Sequence, residues 1–146
     1  MACTPDTNMV PDPTDSEYSG RDSNSTTSNR LVIRIGSRSL TATLLDNATV
    51  RALKARLPMT GSMSELNGNE KLYRFADNLP THASNPRTIH TGDLMLDGSN
   101  SLVLFYETFP TSYSYTSLGR IDNPSGLAAT LSSGEVTVTF EVDKTK

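Results

Sequence analysis

The sequence has no tryptophan and no glutamine, one cysteine (Cys3) and two histidines (His82 and His90). A single cysteine excludes an internal disulfide, so cysteine usage does not identify the redox compartment. Neither histidine lies in a metal-ligand spacing such as His-Glu-x-x-His, and no glycine-rich phosphate loop occurs. No apolar run approaches the roughly 18 residues of a membrane helix. We therefore predict no metal, no cofactor and no membrane-spanning segment.

The charge of the chain is concentrated near its beginning. Residues 1–30 contain five acidic residues and two arginines, whereas residues 31–146 contain eleven acidic and eleven basic residues. A protein that binds nucleic acid normally carries a basic patch, because the phosphates must be neutralised. A domain with balanced charge and no basic stripe is therefore not expected to bind nucleic acid.

Residues 1–30 lack leucine, isoleucine and phenylalanine and are rich in Asp, Asn, Ser, Thr and Pro. Such a segment cannot bury enough apolar surface to offset its ordering entropy, so we predict a disordered polar tether. Cys3, after a small residue, resembles the mature start of a bacterial lipoprotein whose signal peptide has been replaced by a methionine. This predicts a lipid anchor at Cys3 and a location at the cell envelope; the alternative is an ordinary thiol of a cytoplasmic protein.

Residues 31–146 have the length of one small domain and the pattern of short strands. Alternating apolar runs are separated by turn residues at Gly36, Asn67-Gly68 and Asp97-Gly98, which favours antiparallel hairpins. Helical spacing occurs after Asp46 or Asn47 and ends at Pro58, and "NPSGLAATL" predicts a second short helix. Seven or eight strands with two short helices predict a mainly β protein that forms a closed barrel, since closure removes exposed strand edges.

Several blocks, in this order, closely resemble the bacterial cyclophilin-like family of small uncharacterised barrel domains: "LLDNATVRALKARLP", "LNGNEKLYRF", "TIHTGDLMLDGSNSLVLFYE", "YSYTSLGRI" and "VTVTFE". The resemblance covers residues 31–142 and implies a cyclophilin-type barrel closed by helices. It also implies a flavodoxin-type protein as a partner. True cyclophilins use an Arg in a Phe-His-Arg block and a Gln, and this chain has neither. The sequence therefore predicts a non-catalytic binding module, with a divergent peptidyl-prolyl cis-trans isomerase as the alternative.

Tyr106, Tyr115 and Arg120 are the strongest candidates for binding a peptide segment or a small molecule. The planar guanidinium of an arginine suits a carboxylate or a peptide carbonyl, and tyrosine rings offer an apolar floor. The alternative for Arg120 is a structural ion pair with Asp122 or Glu70 at the rim of the barrel. In the isomerase alternative, Arg120 replaces the missing catalytic arginine.

Glu70 and His90 complete the set of candidate ligand-binding residues. Glu70 and Lys71 are adjacent in a predicted strand and so point to opposite faces, and each is expected to be a surface charge. His90 and Asp93 flank Gly92, whose bend brings the imidazole toward the carboxylate as half of an acid-base pair. The alternative for Asp93 is a turn residue that accepts hydrogen bonds from backbone amides.

Overall fold

The computed structural model describes residues 29–131 and 134–143, and the compact unit runs from Asn29 to Asp143. In this part of the chain, ten strands and two helices follow one another: β1 (Arg30–Ile35), β2 (Arg38–Leu44), α1 (Ala48–Lys54), β3 (Met59–Leu66), β4 (Glu70–Arg74), β5 (Thr88–Ile89), β6 (Asp93–Asp97), β7 (Ser101–Phe105), β8 (Phe109–Pro110), β9 (Thr116–Ile121), α2 (Leu127–Leu131) and β10 (Val136–Val142). The tether predicted for residues 1–30 and Cys3 lie outside the described residues, apart from Asn29 and Arg30. No helix among the described residues is long and apolar enough to cross a membrane.

Eight of the described strands form a closed antiparallel barrel in the order β9-β2-β1-β10-β3-β4-β7-β6, and β6 pairs with β9 to complete the ring. The two remaining strands, β5 and β8, form a separate two-stranded sheet. The predicted mainly β barrel with two short helices is confirmed. Because the ring is closed, each of the eight strands has a hydrogen-bonded neighbour on both sides.

The hairpin turns fall where the sequence predicts them. Gly36 and Gly68 have positive φ angles of 59° and 70°, and Asn67 also has a positive φ, of 59°. Glycine and asparagine adopt this left-handed conformation at the lowest steric cost. The Asp97-Gly98 turn joins β6 to β7, with Asp97 opposite Ser101. These turns fix the register of the strands that carry the site described below.

Helix α1 begins at the predicted cap and ends before Pro58. The side chain of Asn47 accepts a hydrogen bond of 2.8 Å from the backbone N–H of Val50. Val50 and Leu53 are buried in the barrel interior, as their helical spacing predicts. Lys54, near the end of the same helix, is also buried, with only 7% of it exposed. Its burial lowers the pKa of its ammonium group.

The barrel wall is buried on both faces where β6 and β7 lie. Leu102 and Leu104 join the interior cluster, whereas Val103 and Phe105 join a second cluster outside the barrel. Ile89 of β5, Tyr115 and the partly buried Phe109 of β8 cover that second cluster. A strand that is buried on both faces is apolar throughout, which explains the unbroken run "SLVLF". We call the strands β5 and β8 together with Tyr115 the outer cover. The part of the barrel wall that the outer cover does not reach remains open to a ligand.

Candidate functional site

An open pocket of about 320 Å³ lies on the outer wall of the barrel, where β2, β9 and β6 are neighbours. Ligand pockets are commonly about 300–1,000 Å³ in volume, so this one suits a small molecule or one or two peptide residues. Its lining combines an ion pair with apolar and hydroxyl groups, contributed by Thr43, Leu45, Asp93, Met95, Ser117, Gly119 and Arg120. Leu45 is 47% exposed, one of three large apolar residues that remain exposed in the described part of the chain.

Arg120 and Asp93 are directly opposite each other on β9 and β6. The Nε of Arg120 donates to Oδ1 of Asp93 over 2.7 Å. The Asp93 side chain is 4% exposed and that of Arg120 is 58% exposed, so the carboxylate is held inside while the guanidinium faces solvent. The partners predicted for Arg120, namely Asp122 and Glu70, are therefore wrong, but Arg120 does form the structural ion pair that the alternative predicts, with Asp93. Asp93 positions Arg120 at the pocket.

His90 lies beside this ion pair, as the bend at Gly92 predicts. Its Nδ1 is 3.4 Å from Nη2 of Arg120 and 3.8 Å from Oδ2 of Asp93. A neutral imidazole whose Nδ1 accepts from Arg120 carries its proton on Nε2. Histidine, arginine and aspartate thus form one hydrogen-bonded group.

The second oxygen of Asp93 has the predicted structural role. Oδ2 accepts from the backbone N–H of His90 over 2.8 Å, and the N–H of Asp93 donates to the carbonyl of His90 over 2.9 Å. Gly92, with a φ of 96°, supplies the tight bend between them. The prediction that Asp93 stabilises a turn is confirmed, and the same residue also belongs to the pocket. One carboxylate therefore fixes both the turn and the arginine.

A β-bulge in β9 sets the direction of Arg120. The register against β6 shifts between Ser117 and Gly119, so Leu118 is extra and turns into the barrel interior. A Cβ on Gly119 would overlap the carbonyl oxygen of Thr43 and lie 3.0 Å from the Cα of Leu44. Glycine is thus required by the close approach of β2. Bulges commonly re-aim side chains beside functional sites.

Comparison with known protein families shows to which family the chain belongs. The model of the cyclophilin-like family matches residues 33–141. The chain belongs to the cyclophilin-like family. Its structure is similar to the solution structure of a hypothetical protein from Archaeoglobus fulgidus, with a TM-score of 0.60 and 20% sequence identity over 80% of this chain and 95% of that chain. At this identity the likeness shows the fold alone. No curated protein matches the sequence.

Two predicted ligand-binding residues of this cyclophilin-like domain are buried on the outer side of the barrel, Tyr115 as part of the outer cover and Glu70 beside it. Glu70 is 6% exposed and Tyr115 is 7% exposed, and the Tyr115 ring meets that of Phe105 edge to face at 5.6 Å. The expectation that Glu70 is a surface charge is wrong. Burial, aided by the negative charges of Asp97 and Glu65, raises the pKa of Glu70 to about 7. Neither residue lines the pocket of Arg120.

Tyr106 faces the interior of the cyclophilin-like barrel rather than the pocket. Its hydroxyl donates to Oε1 of Glu65 over 2.7 Å, and the same oxygen accepts from Nζ of Lys71 over 3.0 Å. Lys71 has no exposed surface, so its prediction as a surface charge is also wrong. Its ammonium group donates to the carbonyl of Gly134 and lies 5.8 Å from the centre of the Tyr106 ring. Burial chiefly raises the pKa of Tyr106 to about 12.

Of the predicted site residues, the fold brings Arg120 and His90 together with Asp93. The prediction missed the hydroxyl and apolar lining of the pocket, contributed by Thr43, Leu45, Met95 and Ser117. One feature of the sequence pointed there: Gly119 interrupts a strand, which marks a bulge or a close backbone approach. Among the described residues, no group of three or more metal-ligating side chains is found.

Proposed function

We propose that this cyclophilin-like domain is a non-catalytic binding module that holds a peptide segment or a small molecule in the Arg120 pocket. The observation that carries the proposal is the position of the Arg120 guanidinium, fixed by the buried Asp93 beside the apolar Met95 and Leu45. Such a pocket offers donors to an oxygen acceptor of the ligand and an apolar surface to its neighbouring group. Binding needs only these two features.

The surroundings of His90 support binding rather than acid-base catalysis. A nucleophilic mechanism needs a hydroxyl or thiol within hydrogen-bond reach of the imidazole. In residues 29–131 and 134–143, the imidazole of His90 contacts Arg120 and Asp93, and no hydroxyl group hydrogen-bonds to it. The imidazole is thus engaged in holding the arginine.

A second function, prolyl isomerisation, is favoured by one observation. An arginine beside a small apolar surface is the combination that can donate to a proline amide nitrogen while the proline ring is held. Arg120 and Met95 provide this combination in the pocket. In this alternative Arg120 is the catalytic residue.

A protease-coupled isomerisation assay on the full chain, across several Xaa-Pro peptides, separates the two functions. Binding of the same peptides is followed in parallel by the NMR signals of the pocket residues. We expect shifts of these signals that are lost in Arg120→Ala and kept in Arg51→Gln, with no acceleration of isomerisation. Acceleration that disappears in Arg120→Ala would establish the isomerase. Ligand binding that is unaffected by Arg120→Ala would overturn the assignment of the pocket.

The proposal places this binding module at the cell envelope, attached by a lipid at Cys3. The support is the acidic, Ser/Thr/Asn-rich composition of residues 1–30, which suits a tether between an anchor and a domain. Fractionation of the producing cells tests this, since Cys3→Ser would move the protein from the membrane fraction to the cytosolic or periplasmic one. A distribution unchanged by Cys3→Ser would contradict it. A flavodoxin-type partner stays a prediction.

A further inference from the structure

The guanidinium of Arg120 has two edges, and the protein occupies one of them. The side edge, Nε with Nη2, faces Asp93 Oδ1 and His90 Nδ1. The opposite edge, formed by Nη1 and the second hydrogen of Nη2, has no partner in residues 29–131 and 134–143. An arginine edge with two parallel N–H groups matches the two oxygens of a carboxylate. A single amide carbonyl would leave one of these N–H groups to water.

The charges around the pocket favour one negative charge on the ligand over two. The lining carries one carboxylate, Asp93, whose two oxygens accept from Arg120 Nε and from the His90 amide, and one guanidinium, so its formal charge is zero. Arg120 is the one cation among the lining residues of the pocket. A doubly charged phosphate would therefore be repelled by Asp93 more strongly than a monocarboxylate, whose two oxygens match the unoccupied N–H edge of the guanidinium.

The remaining lining determines the group next to the carboxylate. Leu45 and Met95 present aliphatic and thioether surface beside Arg120. The Thr43 hydroxyl donates to Asp122 over 2.6 Å, so its proton is not offered to a ligand. The Ser117 hydroxyl points at the sulfur of Met95 from 3.6 Å, a weak acceptor that a ligand oxygen can replace. This surface suits a short apolar side chain better than a polar one.

We infer that the Arg120 pocket selects a monocarboxylate whose neighbouring carbon carries a short aliphatic group. A peptide that ends in an aliphatic residue and a small free acid share this chemistry. The inference rests on the proposed binding function and narrows its ligand class. In this arrangement the carboxylate binds the opposite edge of Arg120, formed by Nη1 and Nη2, and the aliphatic group packs against Leu45 and Met95.

A ¹⁵N NMR titration of the full chain at pH 7.5 with N-acetyl-leucine and with N-acetyl-leucinamide tests the inference. These probes differ only in the terminal group, which is a carboxylate with two acceptor oxygens in the first and a neutral amide with one acceptor oxygen in the second. We expect N-acetyl-leucine to shift the amide signals of Leu45, Met95 and Arg120, and the neutral amide to bind at least about tenfold more weakly. Arg120→Lys keeps the positive charge but loses the pair of parallel N–H donors, so the affinity for N-acetyl-leucine should fall by about tenfold. Arg51→Gln, on the exposed side of α1, is the matched control and should bind as the parent does.

Equal binding of the acid and the amide would overturn the carboxylate selection while the pocket remained a binding site. Tighter binding of inorganic phosphate than of N-acetyl-leucine would overturn the inference that the ligand carries one negative charge. Absence of shifts with all these probes would overturn the inference, and the peptide assay under the proposed function would then decide that function separately. Where N-acetyl-leucine binds, an octapeptide ending in leucine distinguishes the two sources: binding of both supports a peptide terminus, and binding of the small acid alone supports a free acid.

Discussion

Arg120 and Asp93 face each other across β9 and β6, and their ion pair of 2.7 Å joins an exposed guanidinium to a buried carboxylate. The two residues are 27 positions apart in the chain. Their pairing depends on the closure of the barrel, because β6 meets β9 only when the sheet forms a ring. The pocket beside Arg120 therefore depends on the pairing of β6 with β9.

Removal of the guanidinium should destabilise the domain through Asp93. Arg120→Ala leaves the buried carboxylate with the His90 amide alone, and we expect a loss of about 1–3 kcal/mol in the free energy of unfolding. Urea denaturation followed by circular dichroism measures it. The control is Arg51→Ala, which breaks an exposed pair with Asp46 and should cost less than about 1 kcal/mol. Equal effects of the two substitutions would contradict a structural role for Asp93–Arg120.

The bulge in β9 should not tolerate a side chain at Gly119. Gly119→Ala places a Cβ against the backbone of Thr43 and Leu44, so the strands must separate. We expect a destabilisation of about 1–3 kcal/mol or more, measured as a lower midpoint of thermal unfolding. Gly98→Asn is the control, since its Cβ would meet nothing within 4 Å and asparagine accepts its positive φ. A Gly119→Ala protein as stable as the parent would show that β2 and β9 are not so close.

The burial of Glu70 should make stability fall as the pH rises. Burial raises the pKa of Glu70 from its ordinary value of 4.5 to about 7, so between these values the folded state binds more protons than the unfolded state. The stabilising contribution of the protonated Glu70 carboxyl is present below about pH 4.5 and is lost as the pH rises through 7. We expect a loss of about 1–2 kcal/mol across this interval from this residue.

Urea denaturation at several pH values from 4.5 to 8 checks the Glu70 prediction. Glu70→Gln removes the titration and should flatten the decline, leaving the variant more stable than the parent above pH 7. Glu107→Gln, at an exposed position after β7, is the control and should leave the decline in place. An identical pH profile for Glu70→Gln and the parent would refute the burial of a charged Glu70.

The hydroxyl of Tyr106 should contribute to stability through Glu65. Tyr106→Phe removes the donor to Oε1 and should cost about 1 kcal/mol in the free energy of unfolding. Tyr73→Phe is the matched control, because among the described residues the Tyr73 hydroxyl has no hydrogen-bond partner; it should cost less than about 0.5 kcal/mol. Chemical denaturation of both variants measures the difference, and equal costs would argue against the hydrogen bond.

The local features were predictable because each depends on a few neighbouring residues. The Asn47 cap, the end of α1 before Pro58 and the turns at Gly36, Asn67-Gly68 and Asp97-Gly98 follow from backbone preferences and hydrogen bonds within the same segment. The turn role of Asp93 belongs to this class, since its partner is the amide three residues earlier. His90 was placed near Asp93 for the same reason.

The predictions failed where burial depends on distant segments. Glu70 and Lys71 follow a turn and read as surface charges, but the outer cover buries one and the barrel interior buries the other. Tyr106 was expected at a ligand site, whereas the alternation of β7 continues past Phe105 and directs it into the barrel. A polar residue in a short strand does not reveal by itself which layer will cover it.

The amino-acid sequence alone determined the type of fold: short alternating strands with fixed turns form antiparallel hairpins, and eight of them close into a ring to remove their edges. Only the tertiary structure decided the site. Closure placed β6 beside β9, the bulge at Gly119 set the direction of Arg120, and the small β5–β8 sheet covered one part of the outer wall while the pocket stayed open. These contacts join segments far apart in the chain, so local propensity does not specify them.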